Sequence, residues 1–206
     1  MADIPGVILA GGLSRRMGGG DKTLLPLNGR SVLTHVIERL RPQVGPMLLN
    51  ANGDPKRFEA FGLPVLPDTL PDHPGPLAGV LAGLDWAQAQ GASQIVTVAA
   101  DTPFFPVDLV RKLSDAAQRE AKPIALAATL GDRGKVWRHP TFGLWPVSLR
   151  GELRAALEDG VRKIVAWTDT HGAASALFQP GRIDPFFNIN TAEDMVEAET
   201  ILREEA

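Results

Sequence analysis

Val7 to Ala10 form a short apolar run that meets Gly11 and Gly12. Arg15, Arg16, Gly18, Gly19, Gly20 and Lys22 come after it, before the next apolar run begins. A short apolar run bounded by turn residues reads as a buried strand. The glycines after it let a ligand come close to the backbone. Backbone N–H groups in such a loop, joined by Lys and Arg, make a concave anion site. The chemistry this spacing predicts is a wrap around the phosphates of a nucleotide, with Arg16 and Lys22 as clamps. Arg supplies a planar fork and Lys a point charge; Arg15, adjacent to Arg16, is free to point elsewhere. Two common phosphate motifs fail here. A P-loop requires Gly-Lys-Ser/Thr, and Asp21 separates Gly20 from Lys22. The dinucleotide fingerprint Gly-x-Gly-x-x-Gly is not supplied by Gly11, Gly12 and Gly18.

Further groups sit where apolar runs end. Asp101 comes directly after the run Ile95–Ala100. A nucleoside triphosphate arrives with Mg2+, which takes hard oxygen ligands, one or two of them from protein. Asp101 is the candidate ligand, and the alternative is that it opens the turn before Pro103. Asn50 and Asp68 end two shorter runs and offer an amide and a carboxylate for a base edge or ribose hydroxyls. Asn188 and Asn190 bracket Ile189, so on an extended segment their side chains share a face. They are candidates to complete a metal shell or to hold an acceptor, or else to start the last helix. His35, His73, His139 and His171 show no ligand spacing; His139, between Arg138 and Pro140, is the one placed near a cleft, as a candidate to bind the acceptor with Asn188 and Asn190. Trp137, Phe142 and Trp145 read as core packing, with Trp137 also open to a stacking role. No Ser-His-Asp or Cys-His set is visible. A phosphate monoester acceptor would need no base, because its second pKa is near 6 and it is mostly a dianion at neutral pH.

The elements that must position these groups alternate. Strands are expected at Val7–Ala10, Met47–Leu49, Val65–Leu66, Ile95–Ala100 and Ile124–Thr129. Ser31 is a plausible N-cap for a helix whose apolar face is Val32, Leu33, Val36, Ile37 and Leu40, ended by Pro42. Further helices are expected at Lys56–Phe61, from Pro76 to about Gln90, from Pro106 to about Glu120, from about Val147 to Leu157, and around Val161–Trp167. The last helix is capped by Thr191 with Asp194 three residues on. Alternating strands and helices predict an α/β fold of three layers, a mainly parallel sheet covered on both faces. Ligands in such sheets bind beyond the carboxyl ends of the strands. One domain of 206 residues is expected, with a nucleotide half to about residue 105 and an acceptor half after it.

Composition excludes other classes. The formal net charge is −3, unlike a non-specific nucleic-acid binder. The chain has no cysteine, which removes disulfides, thiolate metal sites and cysteine nucleophiles. No signal segment is visible, and no apolar run approaches the ~18 residues of a membrane span. The expected location is the cytoplasm.

The pattern Leu9-Ala10-Gly11-Gly12 through Ser14, Arg16, Met17, Gly18, Asp21 and Lys22 resembles the nucleotidyltransferases with a Rossmann-like sheet. With Asn50–Asn52, Asp68, Pro74–Gly79, Asp101–Phe104, His139-Pro140, Gly143–Pro146 and Phe187–Thr191, it is most similar to the molybdenum cofactor guanylyltransferases. Ser31 departs from the proline expected after Gly29 and Arg30. The resemblance implies transfer of GMP from GTP to the terminal phosphate of molybdopterin, usually carrying molybdenum, with release of pyrophosphate. It implies GTP contacts at Leu9, Ala10, Gly11, Gly12, Lys22, Asn50, Asp68 and Asp101, Mg2+ on Asp101, and the pterin toward Asn188 and Asn190. An accessory protein or a molybdoenzyme apoprotein would receive the product. Alternatives are a cytidylyltransferase on the same pterin, a sugar- or polyol-phosphate nucleotidyltransferase, or a non-catalytic carrier of nucleotide or cofactor.

Overall fold

The computed structural model describes residues 4–11, 21–70, 75–131, 134–179, 181 and 183–205. A seven-stranded sheet runs in the order β5–β4–β1–β6–β8–β7–β9. Its members are β1 (Gly6–Leu9), β4 (Met47–Asn50), β5 (Val65–Leu66), β6 (Gln94–Ala99), β7 (Ile124–Leu130), β8 (Val136–Pro146) and β9 (Ala173–Phe178). All neighbours pair in parallel except β8, which is antiparallel to both β6 and β7. A small hairpin of β2 (Pro26–Leu27) and β3 (Arg30–Ser31) stands apart from the sheet. Its two-residue turn is Asn28-Gly29, both at positive φ, the geometry that suits the twist of a tight hairpin.

The central strands β1, β4 and β6 are apolar on both sides because helices cover both faces. Val7 and Ile8 are both fully buried, yet they belong to different core clusters. Ile8 packs with α1 (Val32–Leu40) and α3 (Leu109–Glu120), while Val7 packs with α2 (Pro76–Ala89), α4 (Arg150–Glu158) and α5 (Ile164–His171). Ser31 caps α1 as expected, its hydroxyl accepting from the Thr34 N–H at 3.1 Å. Helix α2 lies very close to the sheet. A Cβ at Gly83 would stand 2.8 Å from Val7 Cγ2, and one at Gly79 would stand 2.2 Å from Asn50 Oδ1. Asp85 on the outer side of α2 receives Arg150 and Arg154 of α4 at 2.7 and 2.9 Å, and the Thr69 hydroxyl at 2.9 Å. Burial alone would raise the Asp85 pKa, but these donors outweigh it and hold it below the usual value.

A third, smaller cluster fixes the last part of the chain. Ile189 and, from α6 (Ala192–Glu205), Ala198 and Ile201 pack on Leu27 of β2, Val32 of α1 and Phe104. Thr191 and Asp194 form the expected reciprocal cap, with Asp194 N–H to Thr191 Oγ1 at 3.1 Å and Thr191 N–H to Asp194 Oδ2 at 2.9 Å.

Several expected elements differ in detail. Lys56–Phe61 belongs to a 3-10 helix spanning Pro55–Phe61, closed by Gly62 in the left-handed conformation. Helix α3 starts at Leu109 rather than Pro106, and α5 runs to His171. Residues 136–146, for which the sequence suggested no element, are the longest strand, and β9 appears where none was expected.

Candidate active site at the carboxyl edge of the sheet

The register aligns Leu9 with Asn50 on one side and with Ala99 on the other. Strands β4, β1 and β6 therefore end at one height, and the residues just past their ends meet along one edge. The backbone continues the ladder past the strands: Ala10 N–H donates to Asn50 O at 2.8 Å and Ala100 N–H to Leu9 O at 3.1 Å. Gly11 then lies between two polar groupings, one over β4 and β5 and the other over β6.

The first grouping is an amide–carboxylate ring. Asn50, 1% exposed, donates from Nδ2 to Asp68 Oδ1 at 3.0 Å and to Leu66 O at 3.3 Å. Asn52 Nδ2 donates to Asp68 Oδ2 at 2.8 Å, while Asn52 Oδ1 accepts the Asp68 N–H at 2.9 Å. Both Asp68 oxygens are thus oriented by amides and keep further lone pairs for donors from outside. A Cβ at Gly11 would lie 3.6 Å from Asn50 Oδ1 and 4.0 Å from Asp68 Oδ2, so this ring borders the end of β1 directly. Arg57 reaches over from the 3-10 helix, donating to Asn52 O and pairing with Asp21 Oδ2 at 3.4 Å.

The second grouping carries the opposing charges. Lys22 Nζ donates to Asp101 Oδ2 at 2.6 Å and to Asn190 Oδ1 at 2.7 Å. The Lys22 and Asp101 side chains are 16% and 22% exposed, so the pair is open to solvent at one side only. Thr102 donates to Asp101 Oδ1 at 3.1 Å and also approaches Asn188 Oδ1. Ile189 N–H donates to Asp101 O at 2.9 Å, which ties the segment bearing both asparagines to the strand end. Ile189 is buried in the third cluster, so the flanking Asn188 and Asn190 turn to the carboxylate side.

His139 does not join this grouping directly. It lies on β8, opposite Ala127 of β7, where the pairing jumps from Leu126↔Gly143 to Ala127↔His139. The bulge re-aims the strand. Its Nε2 meets Thr129 Oγ1 at 2.9 Å, and its ring stacks on Phe186 at 4.1 Å between centroids. Burial lowers its pKa from the ordinary value, and Asp184 opposes that shift without cancelling it. The imidazole is a buttress under residues 186–190.

The structure therefore brings together Leu9, Ala10, Gly11, Lys22, Asn50, Asp68, Asp101, Asn188 and Asn190, with His139 one layer behind. Gly12 and Arg16 lie outside the described residues. Sequence reasoning did not assign roles to Asn52, Arg57, Thr102 or Gly79. Asn52 had a signal, since it stands two residues beyond Asn50; Thr102 adjoined Asp101 without one. Among the described residues there is no group of three or more His, Cys, Asp or Glu able to hold a metal alone. The donors at Asp101, Asn188 and Asn190 are all hard oxygens, the type a small divalent cation takes beside phosphate and water. Among the described residues, no helix is long and apolar enough to cross a membrane.

Comparison with known proteins agrees with this geometry. A family model described as the MobA-like NTP transferase domain matches residues 6–173. A molybdenum cofactor guanylyltransferase from Bradyrhizobium sp. is 51% identical over 201 residues, covering 96% of this chain and 92% of that protein. One from Mesorhizobium japonicum is 48% identical over 206 residues, covering 98% and 97%. In fold, the chain is similar to the crystal structure of molybdopterin-guanine dinucleotide biosynthesis protein A from Archaeoglobus fulgidus. There the TM-score is 0.74 and the identity 23%, over 98% of this chain and 100% of that one. A 4-diphosphocytidyl-2C-methyl-D-erythritol synthase from Anaerococcus prevotii shares the fold at a TM-score of 0.72 and 16% identity, over 98% of this chain and 96% of that one. The sequence matches, together with a strand-end site of glycine, lysine and aspartate, establish the class: the chain is a nucleotidyltransferase and belongs to the molybdenum cofactor guanylyltransferase family of MobA-like NTP transferases.

Proposed function

We propose that the chain transfers GMP from GTP to the terminal phosphate of molybdopterin, with or without bound molybdenum, forming the guanine dinucleotide cofactor and pyrophosphate. The observation that supports this reading is the pairing of Lys22 with both Asp101 and Asn190, which would join a nucleotide at the strand ends to an acceptor held near residues 188–190. Leu9, Ala10, Gly11 and Gly12 would offer backbone to the nucleotide. Asp68, held by two asparagine amides, would accept from the N1–H and 2-amino edge of guanine or from ribose hydroxyls. Arg16 and Lys22 would neutralise the triphosphate.

Asp101 would hold Mg2+, with Asn188 and Asn190 beside it. When bound, the cation would offset charge on the phosphate oxygens and on the leaving pyrophosphate. The transfer forms one bond, from an acceptor phosphate oxygen to the α-phosphorus. It breaks one, from that phosphorus to the bridging oxygen, whose electron pair leaves with pyrophosphate. No proton has to be removed, because the attacking phosphate is already a dianion near neutral pH. Among the described residues, accordingly, no histidine or cysteine hydrogen-bonds to Lys22, Asp101, Asn188 or Asn190. The work of these residues is alignment and charge. The product would pass to a molybdoenzyme apoprotein or an accessory protein, and the reaction would take place in the cytoplasm.

The test is pyrophosphate release from GTP and from CTP, each with Mg2+ and molybdopterin. Release with GTP alone is expected. A preference for CTP would overturn the base, and binding of GTP without release would leave a carrier.

A further inference from the structure

Of the three aromatics grouped by sequence around residues 137–145, two are core. Phe142 and Trp145 are each 1% exposed, whereas Trp137 is 52% exposed. Such an indole leaves a large apolar face in water. Its position is set by register. Thr97 of β6 pairs with Gly143 of β8, and Gly143 pairs with Leu126 of β7. Thr129, opposite Trp137, lies three residues beyond Leu126, so it is level with Ala100, one residue short of Asp101. Trp137 therefore stands at the height of the catalytic edge, on the strand next to the one that carries Asp101. Opposed residues share a face, and the Thr129–His139 hydrogen bond puts Trp137 on the face where Phe186 leads to Asn188 and Asn190. Arg138 alternates to the other face and is taken up by Asp169.

The ring is also held in place. A Cβ at Gly131 would stand 2.3 Å from Trp137 Nε1 and 2.6 Å from Cδ1, so the indole rests on backbone that only glycine leaves open. Gly131 N–H donates to Lys135 O at 2.7 Å, and Lys135 Nζ lies over the ring, 3.9 Å from its centre. A fixed, half-exposed indole whose face already draws a cation suits a flat fused heterocycle carrying an anionic arm, which would take that face while the ammonium moves to the arm.

We propose that Trp137 is the stacking platform for the fused ring of the acceptor, with Lys135 as its neighbouring cation. This rests on the reading that the acceptor is a pterin phosphate. Trp137 touches substrate but takes no part in the transfer.

The test uses the full chain and its Trp137→Ala, Trp137→Phe and Gly131→Ala variants, with steady-state kinetics in both substrates. Stacking on a single aromatic predicts a rise of about 10-fold or more in the KM for molybdopterin in Trp137→Ala. The KM for GTP and the kcat at saturating acceptor should stay unchanged. Trp137→Phe, which keeps a flat ring, should recover most of the acceptor affinity, and Gly131→Ala should lose it by displacing the indole. Quenching of tryptophan fluorescence by molybdopterin should be present in the parent and lost in Trp137→Phe. An unchanged acceptor KM in folded Trp137→Ala, with the parent active, would overturn the platform and leave the reaction standing. A parent that neither binds nor turns over molybdopterin would overturn the acceptor reading and the platform with it.

Discussion

Lys22 and Asp101 are 79 residues apart in the chain, and their charged atoms are 2.6 Å apart at the carboxyl edge of the sheet. The ammonium lies on one of the two Asp101 oxygens, and a divalent cation held by Asp101, as proposed, would compete with it there. Cation entry at Asp101 and release of Lys22 toward phosphate would then be one exchange. That exchange would also free Asn190, the second acceptor of the ammonium at 2.7 Å.

Lys22→Met should separate the two sides of this exchange. Turnover should fall by a factor on the order of 10² or more, as when one charge-stabilising donor is removed. Divalent metal binding to the nucleotide-free protein should become tighter, because Asp101 loses its internal cation. Titration with Mn2+ followed by electron paramagnetic resonance reads the second effect independently of activity. Equal metal affinity in parent and variant would show that the ammonium does not compete for Asp101.

Gly79 is the position where the packing of α2 meets the Asn50–Asp68 ring. A methyl group there would lie 2.2 Å from Asn50 Oδ1 and 2.9 Å from Leu9 Cδ2, so either α2 or the Asn50–Asp68 ring must move. Gly79→Ala should cost about 1–3 kcal/mol by overpacking and weaken nucleotide binding. Gly151, in α4 with nothing within 4 Å of its added Cβ, is the control. Gly151→Ala should stabilise the fold by about 0.5–1 kcal/mol and leave binding alone. Denaturant midpoints and nucleotide titrations on the two variants check the contrast.

The strand-end residues Gly11, Asn50 and Asp101 were readable in the sequence because each follows a short apolar run, and those runs are central parallel strands buried on both faces. Asp68 follows a two-residue edge strand whose Leu66 is exposed, so only the end of its short apolar run marked it. The long strand β8 was not readable. Pro140 interrupts it, and the bulge between Leu126 and Ala127 breaks the alternation that would mark it. Strand β9 reads Ala173–Phe178 with three alanines, a composition that announces no strand. Asn52 stands two residues beyond Asn50, but its partner Asp68, like Asp21 for Arg57, is remote in sequence and is supplied only by the fold.

His139 gives the fold a pH dependence of known sign. Burial holds its folded pKa below the ordinary value of 6.5, so the folded state favours the neutral ring. Between 6.5 and the lower folded pKa the unfolded chain binds more protons, and stability falls as pH drops. The contribution is fully present above 6.5 and is lost as pH descends through the folded value. His139→Gln should flatten this part of the stability profile, measured by thermal unfolding from pH 8 down to pH 5. A parent profile that rises on acidification would contradict the assignment.

Asp101 is proposed to serve the transfer and not merely the turn before Pro103. The decisive measurement is pyrophosphate release by Asp101→Asn with GTP, molybdopterin and Mg2+, beside a GTP binding titration on the same protein. Release should fall to or near background with much of the GTP binding kept, since Asp68, Asn50 and the glycine strand end are untouched. Release at the parent rate would contradict it and return Asp101 to a structural role.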